Sequence, residues 1–286
     1  MTVIQLLTLV LMIIVNTDRK LRESMKKPAR VTKLIQKTKT LDPSNNKPAT
    51  VLSENKVTGW SLNFPIQKTC QPSKLCIETC YFASGMTTWT NSLRKQLWNY
   101  ESCVEDPIAF AEDIISQYDK KIKGKTDFLR WNGGGDLFLE STEALNYIGQ
   151  TRPDIVIWIV TRRPDMAKRI ENHPNLYVHF SLDRESMVRR ETVMPLLTPE
   201  MRKRVFFSYQ TAAGEEPDMT KLMKEGVKLF FFDNYRVPLG TYWPVKEEKG
   251  ARWDALCPLN KIRSEGKDIE GACNACRRCF DGSWEQ

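Results

Sequence analysis

The chain has 286 residues, 41% of them apolar and 10% aromatic, and its 43 Lys and Arg outnumber 35 Asp and Glu for a formal charge of +8. That is enough apolar material for one large α/β core or two modest ones, and it excludes a fibrous or wholly disordered chain. Eight cysteines are not needed as staples at this length. Seven fall into two tight groups, which reads as metal binding in a reducing, cytoplasmic compartment rather than as a disulfide framework; Cys103 is left over as a structural thiol.

Residues Val3 to Val15 are almost wholly apolar, yet too short for an ordinary bilayer crossing and without the flanks of a secretory signal. Met25 opens a polar, Lys-rich stretch that reads as a protein start, so residues 1–24 are set aside from the fold; the competing reading is a short N-terminal anchor. The basic residues Arg19, Lys20, Arg22, Lys26, Lys27, Arg30, Lys33, Lys37 and Lys39 read as a solvated arm before a nucleic-acid contact. Residues 1–56 are therefore expected to be an apolar segment and an irregular basic lead-in.

Gly59–Phe64 is the first expected strand. Directly after it come Cys70, Cys76 and Cys80, with five and three residues between them. Thiolates are the ligands that iron–sulfur clusters and zinc demand. Three protein ligands leave one coordination position open for something that reacts.

Trp89–Tyr100 and Pro107–Ile122 are expected helices, the second with Ile108, Ala111, Ile114, Ile115 and Tyr118 near helical spacing and Pro107 in its first turn. Asp127–Trp131 is the next strand, running into Asn132-Gly133-Gly134-Gly135-Asp136, a turn whose glycines let a ligand approach the main chain. A helix over Glu140–Ile148 follows. The rhythm repeats with strands at Ile155–Val160, Leu176–Phe180, Arg204–Tyr209 and Val227–Phe232, giving six. Continuous apolar runs separated by helix-length segments predict parallel strands covered on both faces. Cys70, Asp136, Arg162, Asp183, Gln210 and Asp233 gather at the strand C-terminal ends, the rim where such folds place their chemistry.

Beyond residue 236 the periodicity is lost, and the chain supplies Cys257, then Cys273, Cys276 and Cys279. Four cysteines can close around a metal, and this spacing is nearer to ferredoxin-type ligation than to a zinc ribbon, so an iron–sulfur cluster is favoured over zinc. Hydrolytic alternatives are weak: His179 lies inside a strand as a satisfied core residue, and neither a Gly-x-Ser-x-Gly elbow nor a Walker loop is present. Arg189-Arg190 and Lys203-Arg204 read as solvated surface pairs, with phosphate contact as the alternative.

The three early cysteines followed by a glycine-rich turn on an α/β run resemble the radical S-adenosylmethionine superfamily across residues 57–236. The resemblance implies a partial (β/α)6, TIM-barrel-like parallel sheet with a Cys-rich extension at 237–286. It implies a 4Fe-4S cluster on Cys70, Cys76 and Cys80, with S-adenosylmethionine on its open iron and Gly133, Gly134, Gly135 and Asp136 beside the methionine moiety. Ser181, Tyr209 and Asp233 are further expected cofactor contacts, and Asp136, Arg162 and Asp183 are the residues expected to serve the chemistry. The C-terminal cysteines would hold a second cluster or zinc. Two departures stand out: the superfamily spacing is three and two residues, and its glycine turn carries a glutamate where this chain has Asp136.

Closer still, Asn55 to Trp284 resembles the phage gene-product-88 family in its Thr69-Cys70 opening, Gly135-Asp136-Leu137-Phe138, the Thr161-Arg162 strand end and the terminal cysteines. The expectation is a redox enzyme that reductively cleaves S-adenosylmethionine, fed by an electron donor such as flavodoxin or ferredoxin and acting on a nucleic acid or nucleotide. Firm membrane association is not expected. The alternatives are a cluster-dependent transferase and a zinc-stabilised, basic nucleic-acid-binding protein without radical chemistry.

Overall fold

A computed structural model describes residues 29–42, 47–125, 128–193, 195, 205–212, 215, 217–231 and positions 257, 270, 273, 276 and 279. One sheet holds seven strands whose spatial order follows the chain: β1 Leu52–Asn55, β2 Gly59–Asn63, β3 Leu129–Gly134, β4 Ile157–Thr161, β5 Leu176–Leu182, β6 Val205–Gln210 and β7 Val227–Phe231. β1 pairs antiparallel with β2, and every later pair is parallel. The helices are α1 Ala29–Lys39, α2 Ile66–Thr69, α3 Lys74–Glu78, α4 Thr90–Glu105, α5 Pro107–Lys121, α6 Leu139–Thr151, α7 Pro164–Ala167, α8 Val188–Val193 and α9 Met219–Lys224.

The six expected strands are β2 to β7, and their parallel pairing follows from the helical segments between them, since a parallel neighbour needs a crossover. Alternation sorts each strand into two faces. Ile157, Ile159, Val178, Phe180, Phe207 and Tyr209 belong to the large core shared with α5 and α6. Trp158 and Phe128 form a separate cluster on the opposite face, joined by Val160, Tyr177, Cys273 and Cys279. Phe64 is the hinge of the main core, with Phe110, Trp131 and Phe138 ring centroids 6.3, 6.2 and 4.9 Å away. α5 starts where the sequence says it should: Pro107 occupies its first turn, and the Asp106 carboxylate accepts from the Ile108 and Ala109 amides, satisfying two otherwise orphaned donors.

Three expectations need correction. The stretch before Val57 is not an irregular lead-in, because it contains α1 and β1. Val31, Leu34 and Thr38 are buried on one side of α1, a helical spacing hidden by the lysines between them, and Val31 and Leu34 pack with Ala83 and Leu93. β1 is short because its register with β2, Leu52 opposite Leu62 and Asn55 opposite Gly59, leaves only a tight turn, which the Asn55 side chain closes by accepting from the Val57 and Thr58 amides.

The third correction concerns Asn132, Gly133 and Gly134, which are strand rather than turn. Asn63 sits opposite Gly134, and the Phe64 amide donates to the Gly134 carbonyl at 2.9 Å. Within residues 132–136, left-handed backbone is confined to Asn132, at φ 60°, and Gly135, at φ 82°. Among the described residues no helix is long and apolar enough to cross a membrane; residues 3–15 lie outside the described set.

Candidate functional site: a thiol-lined cavity at the strand ends

The loop leaving β2 is held at both ends. Thr69 receives the Asp136 amide at 2.9 Å and donates to the Pro65 carbonyl at 3.1 Å, which fixes the loop to the end of β3. Ser73 caps α3 by accepting from the Cys76 amide at 3.1 Å, and the same hydroxyl donates to Asp183 beyond β5. The Lys74 amide donates to Glu185 at 2.9 Å. Arg30 of α1 donates to the Glu78 carbonyl at 2.5 Å. These anchors bring Cys70, Cys76 and Cys80 to one cavity of about 510 Å³, which is also lined by Val31 and Ile35 of α1 and by Arg189 of α8.

Behind the cysteines runs one buried polar chain. Arg162, at the end of β4, donates to Asp183 at 2.6 Å and to Gln210 at 3.0 Å. Gln210 in turn donates to Thr79 at 2.9 Å. Ser73, Asp183, Arg162, Gln210 and Thr79 thus form a brace from one side of Cys76 to the other, across the ends of β4, β5 and β6. Burial raises the Asp183 carboxyl, but Arg162, Ser73 and Ser186 outweigh it and hold the group below the ordinary carboxylate range. For Arg162, burial works against the charge, and Cys76 in its thiolate form and the Asp183 carboxylate outweigh it, so the pKa is raised and the guanidinium stays protonated.

The thiols themselves are pushed the other way. Burial raises Cys70, with Asp136, Cys76 and Cys80 adding to it; burial also raises Cys76, which Arg162 partly offsets; burial and then Cys76 raise Cys80. As free groups all three are protonated at neutral pH, and a soft metal would bind them by displacing those protons. Three sulfurs sharing a cavity fit the donor set an iron–sulfur cluster with one open iron requires. Among the described residues no three or more Cys, His, Asp or Glu side chains already stand in metal-holding geometry, so these sulfurs share a cavity and not a preformed cage.

The other expected site residues divide clearly. The approach permitted by the glycines is made by the chain itself: a Cβ at Gly133 would lie 2.4 Å from Asn63 Oδ1, one at Gly134 2.2 Å from the Phe82 ring, and one at Gly135 2.7 Å from the Phe64 carbonyl. Asp136 is buried at the β3 end, where it accepts from Thr161 at 2.6 Å, from the Leu137 amide at 2.8 Å and from the Arg162 amide at 3.2 Å, tying β3 to β4. Burial keeps its carboxyl above the ordinary range.

Ser181 is half-buried on β5, on the opposite sheet face from Phe180 and Leu182. Tyr209 belongs to the helix-side core and donates to Glu215 at 2.6 Å, so its neighbour Gln210 is the residue that joins the brace. Asp233 lies outside the described residues. His179 is the satisfied core residue expected: Nδ1 accepts from Trp158 at 3.2 Å and Nε2 lies 2.5 Å from Ser208 Oγ. Cys103 is fully buried in the main core, and burial pushes its thiol up.

Arg189 is not a surface residue. It lines the cavity, and its Nη1 donates to the carbonyls of Gln71 at 3.1 Å and Arg162 at 2.9 Å. Ser73, Thr79 and Arg130 also went unrecognised in the sequence. Each is a common polar residue whose partner lies far along the chain, and only the Ser73 cap, three residues before Cys76, left a local signal.

The four C-terminal cysteines are electrostatic neighbours and, like the first three, form no metal-holding group among the described residues. Burial and then Cys257, Cys273 and Cys276 raise the Cys279 thiol, while Arg130 lowers it. The Cys257 amide donates to the Phe230 carbonyl at 3.1 Å and that of Cys273 to Val57 at 3.2 Å, so this group reaches both β7 and the β1–β2 turn. Arg130 stacks on Trp158 at 4.8 Å and donates to the Tyr81 hydroxyl at 3.1 Å. Tyr81, next to Cys80, donates to the Gly133 carbonyl.

Fold and site together define an α/β protein with one largely parallel sheet that carries a braced, thiol-lined cavity at the carboxyl ends of its strands. A family model described as gene product 88 matches residues 28–282, and the chain belongs to that family. No curated protein and no solved structure matches the chain.

Proposed function

We propose that this gene-product-88 protein is an iron–sulfur enzyme resembling the radical S-adenosylmethionine proteins, built on a partial (β/α)6, TIM-barrel-like sheet. Cys70, Cys76 and Cys80 would hold a 4Fe-4S cluster. When bound, that cluster supplies the electron that cleaves S-adenosylmethionine, with a small redox protein such as flavodoxin or ferredoxin as the source. The observation that carries the reading is the convergence of three half-buried cysteines on one cavity at the carboxyl ends of parallel strands, with a buried guanidinium behind them. The chain's own residues position the donors: Ser73 and Thr79 fix α3, Asp183 and Gln210 fix those two, and Arg162 joins the pair while offsetting negative charge on the Cys76 sulfur. The C-terminal cysteines would hold a second cluster or zinc.

The test is metal analysis of protein purified without air, followed by incubation of the reduced protein with S-adenosylmethionine. The reading expects iron and sulfide, a brown chromophore and iron content diminished in Cys76→Ala and unchanged in Cys103→Ala, and release of 5′-deoxyadenosine that Cys76→Ala abolishes. Stoichiometric zinc with no visible absorption would end it and leave the zinc-stabilised nucleic-acid-binding alternative. A chromophore without cleavage under several reductants would favour cluster chemistry of a non-radical kind.

A further inference from the structure

The cavity is too large for a metal centre alone, and its rim has a charge pattern that the cysteines do not use. Its volume of about 510 Å³ falls within the roughly 300–1,000 Å³ of small-molecule sites. The charged residues on its lining are Lys74, Arg189 and Glu185, two cations against one carboxylate. Burial, and then Arg162, lowers the pKa of Arg189, so the guanidinium is held where its charge is poorly solvated. It has no ion pair among the described residues. Among the described residues only its Nη1 is engaged, by two carbonyl oxygens.

The nearby acids are already committed. Asp183 bonds Arg162, Ser73 and Ser186, Asp136 bonds Thr161 and two backbone amides, and Glu185 accepts from the Lys74 amide. A half-buried guanidinium with free donors and no carboxylate partner is completed by an anion from outside, and its planar fork suits two oxygens of one group. Val31, Ile35 and Val188 supply apolar wall, and Gln67 and Gln71 supply carboxamides on the same lining, the combination that accepts a flat heterocycle with a polar edge.

We propose that this cavity binds a nucleoside monophosphate group, free or at the end of a nucleic acid, with Arg189 and Lys74 on the phosphate. This deepens the enzyme reading by naming a substrate class for the same cavity, but binding to the cluster-free protein does not depend on that reading. Arg189 and Lys74 can each take different oxygens of one phosphate monoester, which offers three terminal oxygens against the two of a carboxylate.

The experiment is calorimetric titration of the full, cluster-free chain with adenosine 5′-monophosphate, adenosine, inorganic phosphate, a short 5′-phosphorylated oligonucleotide, and methionine as a carboxylate without phosphate. Adenosine monophosphate should bind at least about tenfold tighter than adenosine. R189Q should lose about tenfold for the monophosphate while leaving adenosine unchanged. K74A should lose about threefold and flatten the salt dependence. Tighter binding of the oligonucleotide than of the mononucleotide assigns the phosphate to a nucleic-acid end, and the reverse order to a free nucleotide. Equal binding of adenosine and its monophosphate, methionine binding as tightly as the monophosphate, or an unchanged affinity in R189Q overturns the proposal. Should R189Q fail to fold, K74A decides by the same comparison, and unchanged monophosphate affinity there overturns it. If the cluster-free chain fails to bind the phosphate while protein purified without air carries iron and sulfide, this inference alone is sunk, whereas phosphate binding by a chain that takes up no iron on purification or reconstitution sinks only the enzyme reading.

Discussion

Replacing Arg162 by methionine tests whether the brace behind the cysteines holds the site together. The substitution leaves Asp183, which is fully buried, without its guanidinium. Breaking a buried ion pair from one side costs about 3–5 kcal/mol, because a charge is left uncompensated. Asp183 keeps the Ser73 and Ser186 hydroxyls and the Glu185 and Ser186 amides, which puts the electrostatic loss near the lower end. Gln210 loses a donor, for about 1 kcal/mol more. The expected total is about 3–4 kcal/mol, a large part of the roughly 5–15 kcal/mol that holds a domain folded. Urea unfolding should show it as a lower midpoint at unchanged slope. Asp183→Asn should recover at least about 1.5 kcal/mol when added to Arg162→Met, because it removes the stranded charge; a double-mutant cycle measures that coupling. A loss below about 1 kcal/mol, or strictly additive effects, would refute a brace built on this pair.

Gly134→Ala places a Cβ 2.2 Å from the Phe82 ring, two residues from Cys80; overpacking of that kind costs about 1–3 kcal/mol, and iron uptake should fall with the displaced loop, as metal analysis beside a urea curve would show. His179 provides a pH test. Burial, then Arg130 and Arg162, lowers its pKa from 6.5 to about 3. The folded value lies below the unfolded one, so the unfolded chain takes the proton first and stability is lost as pH falls from about 6.5 towards 3. At pH 5 the loss from this one group is about 2 kcal/mol. Unfolding curves at pH 5 and 7 should therefore differ less in His179→Gln than in the parent chain, and an identical difference in both would contradict the burial argument.

The resemblance to a glycine-rich ligand turn illustrates how one residue pattern serves two physical ends. Small residues allow close approach whatever does the approaching, and here the Asn63 and Phe82 side chains take up the space above Gly133 and Gly134. The same applies to Tyr209 and Gln210. Both were candidates by their place at a strand end, but alternation sends them to opposite faces, and a slip of one residue in the expected strand boundary exchanges their roles.

α1 was missed for a different reason. Charge dominates its composition, while its buried side rests on few residues, and a short helix of that kind is made by what it packs against. Its partners are the residues just after the cysteines, more than forty positions away in the chain.

From its sequence alone the protein had its six parallel strands, the helix that starts at Pro107 and the division of seven cysteines into two sets, since each is written in local spacing: apolar runs, a proline after an aspartate, thiols a few residues apart. The tertiary structure alone decided what surrounds those thiols. Ser73 meets Asp183 across 110 positions, Gln210 meets Thr79 across 131, and Arg189 meets Gln71 across 118. Such pairs are brought together by strand order and strand-end geometry, and a polar side chain gives no sign, among its own sequence neighbours, of a partner that only the folded sheet delivers.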